Sequence, residues 1–389
     1  MDYAIPRALQ SYGYLERLVT DLHFDSPPPL QRLRNYRSGI PRSRVSSDNR
    51  TGLVYRAILS CFAMRAWPHL LAAEAVAART CDLVESTGAD LVYGFDTAML
   101  PTMDRLRRAD AMIVMEQCIA PRMQFLSALS ILDSKLQEVG IDLEESGLNQ
   151  NQAYFAIMAA VETEEWSRAD KLYCPSPFVR EALVKQGVAP EKIRVVPYGI
   201  SLCLSERRGK GAGGRPRVVF GGAFSWRKGA LEFGRLASTL SGAASFEAYG
   251  KNLLSGPMTR RVAPDVHQRG HVQKSCFHSA IADADIFVLP SYMEGSATVV
   301  YEAMAMGLAC VVTAQCGSVI TDGVDGLIVE AGDDAALQAA VEKLLDDPAM
   351  RRDVGMRAAE TARAHTRESY GRAVGAWLVE DLAAYRGAV

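Results

Sequence analysis

The chain has 389 residues, enough for about two domains that each bury a core, and its net charge of -2 gives no electrostatic basis for binding nucleic acid. Its apolar runs stop short of the ~20 residues that a membrane span needs. The opening MDYAIPRALQSYGYLERLVTDL lacks the basic start, apolar core and cleavage site of a secretory signal, so a cytoplasmic location is the default expectation. Eight cysteines, at 61, 81, 118, 174, 203, 276, 310 and 316, form no CxxC pair and lie mostly in apolar runs, which reads as reduced core thiols.

In chain order, the segment QRLRNYRSGIPRSRVSSDNRTGLVYR (31–56) comes first, with seven arginines against the single acid Asp48. A solvated basic face is one reading. The sharper one is a patch, including Arg32, Arg34, Arg37, Arg42 and Arg44, that meets an anionic acceptor or the inner leaflet of a membrane, where each basic residue near the surface adds about 1 kcal/mol. Helical periodicity follows around 54–80, 122–138 and 151–168, and the strand candidates of this half are DLVYGF (90–95), AMIVMEQ (111–117), KLYCPS (171–176) and IRVVPYG (193–199). SLCLSERRGKGAGGRP (201–216) loses the apolar periodicity and marks a linker; its GAGG lacks the Lys-Ser or Lys-Thr of a phosphate loop.

The second half alternates short β-branched runs with helical patterns, the mark of βαβ units on a parallel sheet. Its strands are RVVFGG (217–222), SFEAYG (245–250), DIFVLPS (285–291), ACVVTA (309–314) and GLIVEA (326–331), with helices from Lys228 and Lys274 between them. Beyond Asp333 the pattern is helical, broken at Pro348, with a last amphipathic segment near 367–386. The expected class is α/β, with two domains, 1–203 and 204–368, whose parallel sheets face a central cleft. The acids of DAD (283–285) precede a buried strand as a helix end does, so a metal site is not expected there. His271 reads as a surface or core-edge histidine, and Tyr198 and Gly199 read as a hinge.

The stretch EGSATVVYEAMAMG (294–307) carries the chemistry, since a strand ends just before it and a helix begins within it. That puts Glu294 at the carboxyl edge of the sheet, where open α/β sheets bind ligands. The amides of Gly295, Ser296, Ala297 and Thr298 would then lie at a helix N-terminus, a place for phosphate oxygens. Glu302 falls among apolar neighbours, where an unpaired carboxylate would cost several kcal/mol. Its partner is either an internal donor or the two adjacent hydroxyls of a ribose.

The same stretch resembles the E-x7-E signature of the retaining glycosyltransferases of family 4. The likeness extends in unbroken order over DADIFVLPSYMEGSATVVYEAMAMGLACVVTAQCGSVITDGVDGLIVEAGDDAALQAAVEKLLDDP, and RVVFGGAFSWRKG resembles that family's phosphate-binding strand and turn. The resemblance implies the GT-B architecture, two Rossmann-like domains, with a C-terminal helix (369–389) packing back on the N-terminal, acceptor-side domain. It implies no cofactor and no metal, a nucleoside diphosphate sugar of UDP or GDP as co-substrate, and a glycan, lipid-linked or other hydroxyl acceptor in glycoconjugate synthesis. Location would be cytoplasmic, with peripheral membrane contact at the basic patch. Glu302 would hold the ribose, Glu294 would lie beside the transferred sugar, and Lys228 would neutralise the departing diphosphate.

Three departures from the family pattern stand out. Gly222 occupies the position, six residues before Lys228, that commonly carries an arginine, which leaves Arg227 to compensate. VMEQCIAPR offers Glu116, Gln117 and Cys118 where a histidine is usual. The chain opens near where the first helix should be, so either its start is missing or the domain, which lacks the usual first strand, is built differently. The alternatives to transfer are a nucleotide-sugar epimerase of the same fold and a nucleotide-sugar-binding protein with impaired catalysis.

Overall fold

The computed structural model describes residues 4–11, 13–20, 40–47, 66–106, 111–201 and 214–388. Helix α1 (Ala4–Ser11) leads to β1 (Leu18–Thr20), which pairs in parallel with β2 (Val45–Ser47). This small sheet was not foreseen, because three-residue strands carry too little alternation to register as a pattern.

Next come α2 (Ala66–Thr87), β3 (Leu91–Phe95), α3 (Leu100–Leu106), β4 (Met112–Glu116) and α4 (Arg122–Glu138). A single turn, α5 (Leu143–Ser146), precedes α6 (Asn149–Arg168), β5 (Lys171–Cys174), α7 (Pro177–Lys185) and β6 (Ile193–Val195). The four strands β3 to β6 form one parallel sheet in sequence order. Ser176 caps α7 by accepting from the Val179 amide, and Pro177 follows at the first helical position, where its missing N–H is no loss.

The second domain runs β7 (Arg217–Gly221), α8 (Ala230–Leu240), β8 (Ser245–Tyr249), α9 (Gly256–Val262), β9 (Val266–Gly270), α10 (Lys274–Ile281), β10 (Ile286–Leu289), α11 (Thr298–Ala305), β11 (Ala309–Thr313) and β12 (Leu327–Val329). Its six strands are parallel in the order β12-β11-β10-β7-β8-β9. Every residue of β10 and β11 is buried, as expected where helices cover both faces of a parallel sheet. The strand missed from sequence is β9, VHQRG, an edge strand with only its first residue buried.

Two helices follow, α12 (Asp334–Asp346) and α13 (Pro348–Ala364). The interruption at Pro348 is a new helix start, with the Asp347 carboxylate accepting from the amides of Ala349 and Met350. The final helix, α14 (Arg367–Ala388), packs on the first domain: Tyr370, Val374 and Leu378 share a cluster with Ile5, Met112, Val114, Tyr173, Val196 and Tyr198. Asp381 anchors it further, accepting from Tyr173 at 2.8 Å and from Arg194 at 2.7 Å.

The two crossings between domains run side by side, with the Ile200 amide donating to His365 O at 3.0 Å and the Arg367 amide to Ile200 O at 3.1 Å. Tyr198, expected at a hinge, lies in the first of them. Among the described residues no helix is long and apolar enough to cross a membrane.

Candidate functional site

The second sheet places the site. From β7 the chain moves outward through β8 and β9, then returns to β10 on the other side of β7. Such a reversal opens a crevice at the carboxyl ends of the two strands, because their connections leave in opposite directions. The segments that leave there join Gly221 to Ala230 and Leu289 to Thr298, and they carry Lys228 and Glu294 respectively.

These residues meet. Glu294 Oε1 lies 2.7 Å from Lys228 Nζ, 2.8 Å from Arg227 Nη1 and 3.2 Å from Ser291 Oγ. Arg227 Nη1 also donates to Met293 O. Burial alone would raise the Glu294 pKa, but the Lys228 ammonium and the Arg227 guanidinium outweigh it and hold the carboxyl below its ordinary value. The acid is therefore an anion at neutral pH, flanked by two cations at the carboxyl ends of β7 and β10.

Gly222 has a physical reason to be glycine. Its φ is +112°, and a Cβ there would sit 3.4 Å from Lys228 Cδ, Cε and Nζ. The lysine stem would make ordinary contact with that carbon, so it is the positive φ that favours glycine. Of the two basic groups expected to serve the diphosphate, Arg227 and Lys228, both converge on one carboxylate oxygen, so Arg227 stands where it can supply the second charge.

The turn that holds both cations, Trp226–Lys228, is fixed to the first domain by the Trp226 indole, which donates to Ser146 O at 3.0 Å. Gly295 lies close against that domain, since a Cβ on it would fall 1.9 Å from Cys118 O and 2.8 Å from Ile119 Cα. Two hydrogen bonds flank this contact, Ala120 N to Glu294 O at 3.2 Å and Ser176 Oγ to Gly295 O at 2.7 Å.

The remaining donor-side candidates divide. The amides of Gly295 and Ser296 donate to no protein acceptor among the described residues, while the Ser296 hydroxyl lies 2.9 Å from that of Tyr301. The Ala297 amide does not fit the expectation: it donates to Cys316 O at 2.9 Å, and the loop after β11 thereby takes the place assigned to a phosphate oxygen. Thr298 opens α11, and Glu302 lies buried on the same helix.

In the first domain, Glu116 ends β4 with its carboxylate buried and accepting from three phenols, Tyr93, Tyr198 at 2.8 Å and Tyr370 at 2.8 Å. Burial raises its pKa, against the hydrogen bonds of the tyrosines. Gln117 is equally committed, donating to Glu162 at 2.7 Å and accepting from the Trp166 indole at 2.8 Å. Burial pushes the Cys118 thiol well up, so it is not a thiolate. Sequence reasoning missed the Asp96, Arg122 and Glu162 cluster beside them, in which Arg122 bonds both acids. No local spacing signals it, because the three lie on separate elements.

Of the arginine patch, Arg32, Arg34 and Arg37 lie outside the described residues. Arg42 is exposed and donates to Ser47 Oγ at 3.3 Å, whereas Arg44 is half-buried and bonds Leu15 O.

Comparison with known proteins bears on these features. Residues 215–347 match the family model described as Glycosyl transferases group 1. The match takes in β7 to β12 and α12, most of the second domain. A curated relative from Campylobacter jejuni, N,N'-diacetylbacillosaminyl-diphospho-undecaprenol alpha-1,3-N-acetylgalactosaminyltransferase, is 31% identical over 153 residues, 38% of this chain and 40% of the relative. The chain thus spans less than half the length of that relative in the match. Among solved structures, sucrose-phosphate synthase from Thermosynechococcus elongatus superposes with a TM-score of 0.66 at 17% identity, covering 98% of this chain and 92% of the other. Anabaena HepE in complex with UDP-glucose gives 0.63 at 14%, covering 97% and 95%. The chain has the two-domain GT-B fold of glycosyltransferases. Nothing in these relatives supports the epimerase alternative.

Proposed function

We propose that this group 1 glycosyltransferase chain moves a sugar from a nucleoside diphosphate sugar, of UDP or GDP, to an acceptor hydroxyl with retention at the anomeric carbon. The observation that carries the reading is the convergence of Lys228 and Arg227 on Glu294 at the crevice between β7 and β10. A nucleoside diphosphate leaves as a multiply charged anion, and fixed cations favour that charge most in the transition state. Lys228 and Arg227 would supply this charge without a metal ion. Glu294, kept ionised by the same cations, would bond the sugar hydroxyls and stabilise positive charge at the anomeric carbon. Glu302 would hold the ribose, and the amides of Gly295 and Ser296 would reach the sugar and diphosphate.

Retention follows if the acceptor attacks from the face that the diphosphate leaves, with a phosphate oxygen taking the acceptor proton. The contacts of Gly295 with the first domain support a site that closes between the domains and excludes water. The Campylobacter relative's name specifies a diphospho-undecaprenol acceptor, and the HepE structure holds UDP-glucose. The first favours a lipid-linked acceptor, which would be reached at the inner membrane face through the arginine patch, and the second a UDP donor.

The test compares wild type with Glu294→Gln on UDP and GDP sugars, following nucleotide release and product. Loss of turnover by about 100-fold or more, with nucleoside diphosphate binding retained or tightened because Lys228 and Arg227 are released, is the expected outcome. Donor binding by the wild type with no turnover for any acceptor would mark a binding protein with impaired catalysis instead.

A further inference from the structure

We infer that Lys135, on α4 of the first domain, is a positioning residue for the Glu294 loop, acting across the domain interface through Glu232 and Tyr292. The kinetic part of this inference rests on the glycosyltransferase reading; the structural part does not.

Lys135 is buried, and all its polar partners belong to the second domain. Its ammonium donates to Gly332 O at 2.7 Å and to Asp334 Oδ1 at 2.6 Å, and it lies 3.1 Å from Glu232 Oε1. Three acceptors match the three protons of an ammonium. Lysine suits the place better than arginine, since a compact point charge fits where a planar guanidinium would need a wider slot.

Glu232 stands in the first turn of α8, only 1% exposed. The oxygen that faces Lys135 also accepts from the Tyr292 hydroxyl at 2.5 Å, while its other oxygen has no hydrogen-bond partner among the described residues. Burial raises the Glu232 pKa, and the Lys135 ammonium opposes that rise. The carboxylate therefore depends on a cation from the other domain to remain a strong acceptor for Tyr292.

Tyr292 carries the effect to the site. It lies two residues before Glu294, and its amide donates at 2.8 Å to the carbonyl of Arg227, one of the two cations on Glu294. When the domains meet, Lys135 completes the chain Lys135, Glu232, Tyr292, Arg227, Glu294. When they part, Glu232 loses its only cationic partner among the described residues, and Tyr292 loses its charged acceptor. Closure and order of the catalytic loop become one event.

The test uses the full chain with Lys135→Met, Tyr292→Phe, the double variant Lys135→Met/Glu232→Gln, and Glu138→Gln as control. Glu138 pairs with Arg235 at the solvent edge of the same interface, 61% exposed, where an ion pair contributes little. Amide hydrogen exchange of residues 290–297 reads loop order without substrate; kcat and the dissociation constant of UDP or GDP read the kinetic effect.

Lys135→Met and Tyr292→Phe are expected to speed exchange of that segment about tenfold and to lower kcat by a similar factor, with nucleotide affinity changed less than threefold. Glu138→Gln should leave all three unchanged. The double variant, which leaves no lone buried carboxylate, should recover melting temperature but neither kcat nor loop protection. Wild-type exchange and kcat in folded Lys135→Met would overturn the inference, as would their return in the double variant, or equal losses in Glu138→Gln. Absence of any wild-type turnover would defeat the glycosyltransferase reading, while the exchange measurements would still decide the role of Lys135.

Discussion

Gly295→Ala is the smallest perturbation that reaches the proposed site from the domain interface. The added methyl carbon would lie 1.9 Å from Cys118 O and 2.7 Å from Cys118 C, both backbone atoms that no rotamer change can move aside. Ordinary contact lies beyond about 3 Å, so something must shift by roughly 1 Å. Overpacking of this kind costs about 1 to 3 kcal/mol. The flanking bonds, Ala120 N to Glu294 O and Ser176 Oγ to Gly295 O, are the contacts that yield, at roughly 0.5 to 1.5 kcal/mol each.

The loop would then move away from the first domain while the crevice between β7 and β10 keeps its shape. A displacement of about 1 Å at reacting groups can cost 100-fold in rate. Steady-state transfer or donor hydrolysis should show kcat reduced by about that factor, with a smaller weakening of UDP or GDP binding as the Gly295 and Ser296 amides move with the loop. Gly242→Ala, with no atom within 4 Å of the new carbon, is the control. Unchanged kcat in Gly295→Ala would refute the argument that these interdomain contacts set the geometry of Glu294.

Three further outcomes follow from the same coordinates. Lys228→Met removes one of two cations on Glu294 and should weaken nucleoside diphosphate binding roughly 10-fold or more by calorimetry, the scale of one charge-assisted bond of about 1.5 to 3 kcal/mol. Gly222→Arg, which places there the arginine that the resemblance associates with this turn, should not tighten that binding, because the backbone at φ +112° opposes a side chain; a loss of about 1 to 2 kcal/mol in denaturant unfolding is expected. Glu247, bonded by Arg217, Arg269 and Tyr249, is buried and has its pKa lowered to about 2 from 4.5, with the arginines overcoming the upward push of burial. A depressed carboxyl stabilises the fold above its unfolded value and loses that contribution as pH falls through the acid range toward its folded value, on the order of 1 kcal/mol of it by pH 3.5. Glu247→Gln should lack that part of the acid slope, and an identical slope would count against the pairing.

How much of this was legible in sequence depended on whether a feature is local. β10 and β11 are uninterrupted apolar runs ended by polar turns, so both strands and the start of α11 could be read directly. β9 could not, because an edge strand needs only one apolar face and VHQRG barely has one. Glu294 and Lys228 were singled out by resemblance, but their contact arises because β10 pairs with β7 across intervening β8 and β9, and strand order has no local signature. The loss of the Ala297 amide to Cys316 O came from a loop 19 residues further on, beyond any spacing rule for a helix start. Lys135 and Glu232 were invisible for the same reason, each being an ordinary charged residue within its own helix.

That the first domain offers no reactive group at the end of β4 has a physical explanation in Glu116. Where a reactive side chain was sought at the end of β4, this carboxylate is turned toward the interdomain crossings. Tyr198 lies on one of them and Tyr370 at the start of α14 just beyond the other, and Tyr93 completes its shell from β3. Three phenols on one buried carboxylate tie both crossings to the first sheet, which leaves Ile200 and His365, bonded at 3.0 Å, beyond that anchor as the place where the domains can pivot. Glu116→Gln keeps the volume but offers one acceptor oxygen to three donors and presents an amide to at least one of them. A destabilisation of about 1 to 3 kcal/mol is expected from the donor left unsatisfied. Glu116→Gln should also lower kcat more than it weakens nucleotide binding, because the anchor of the pivot loosens while the β7–β10 crevice is untouched. Wild-type stability in this variant would show that the phenols find other acceptors, and the carboxylate would then not be what fixes the crossings.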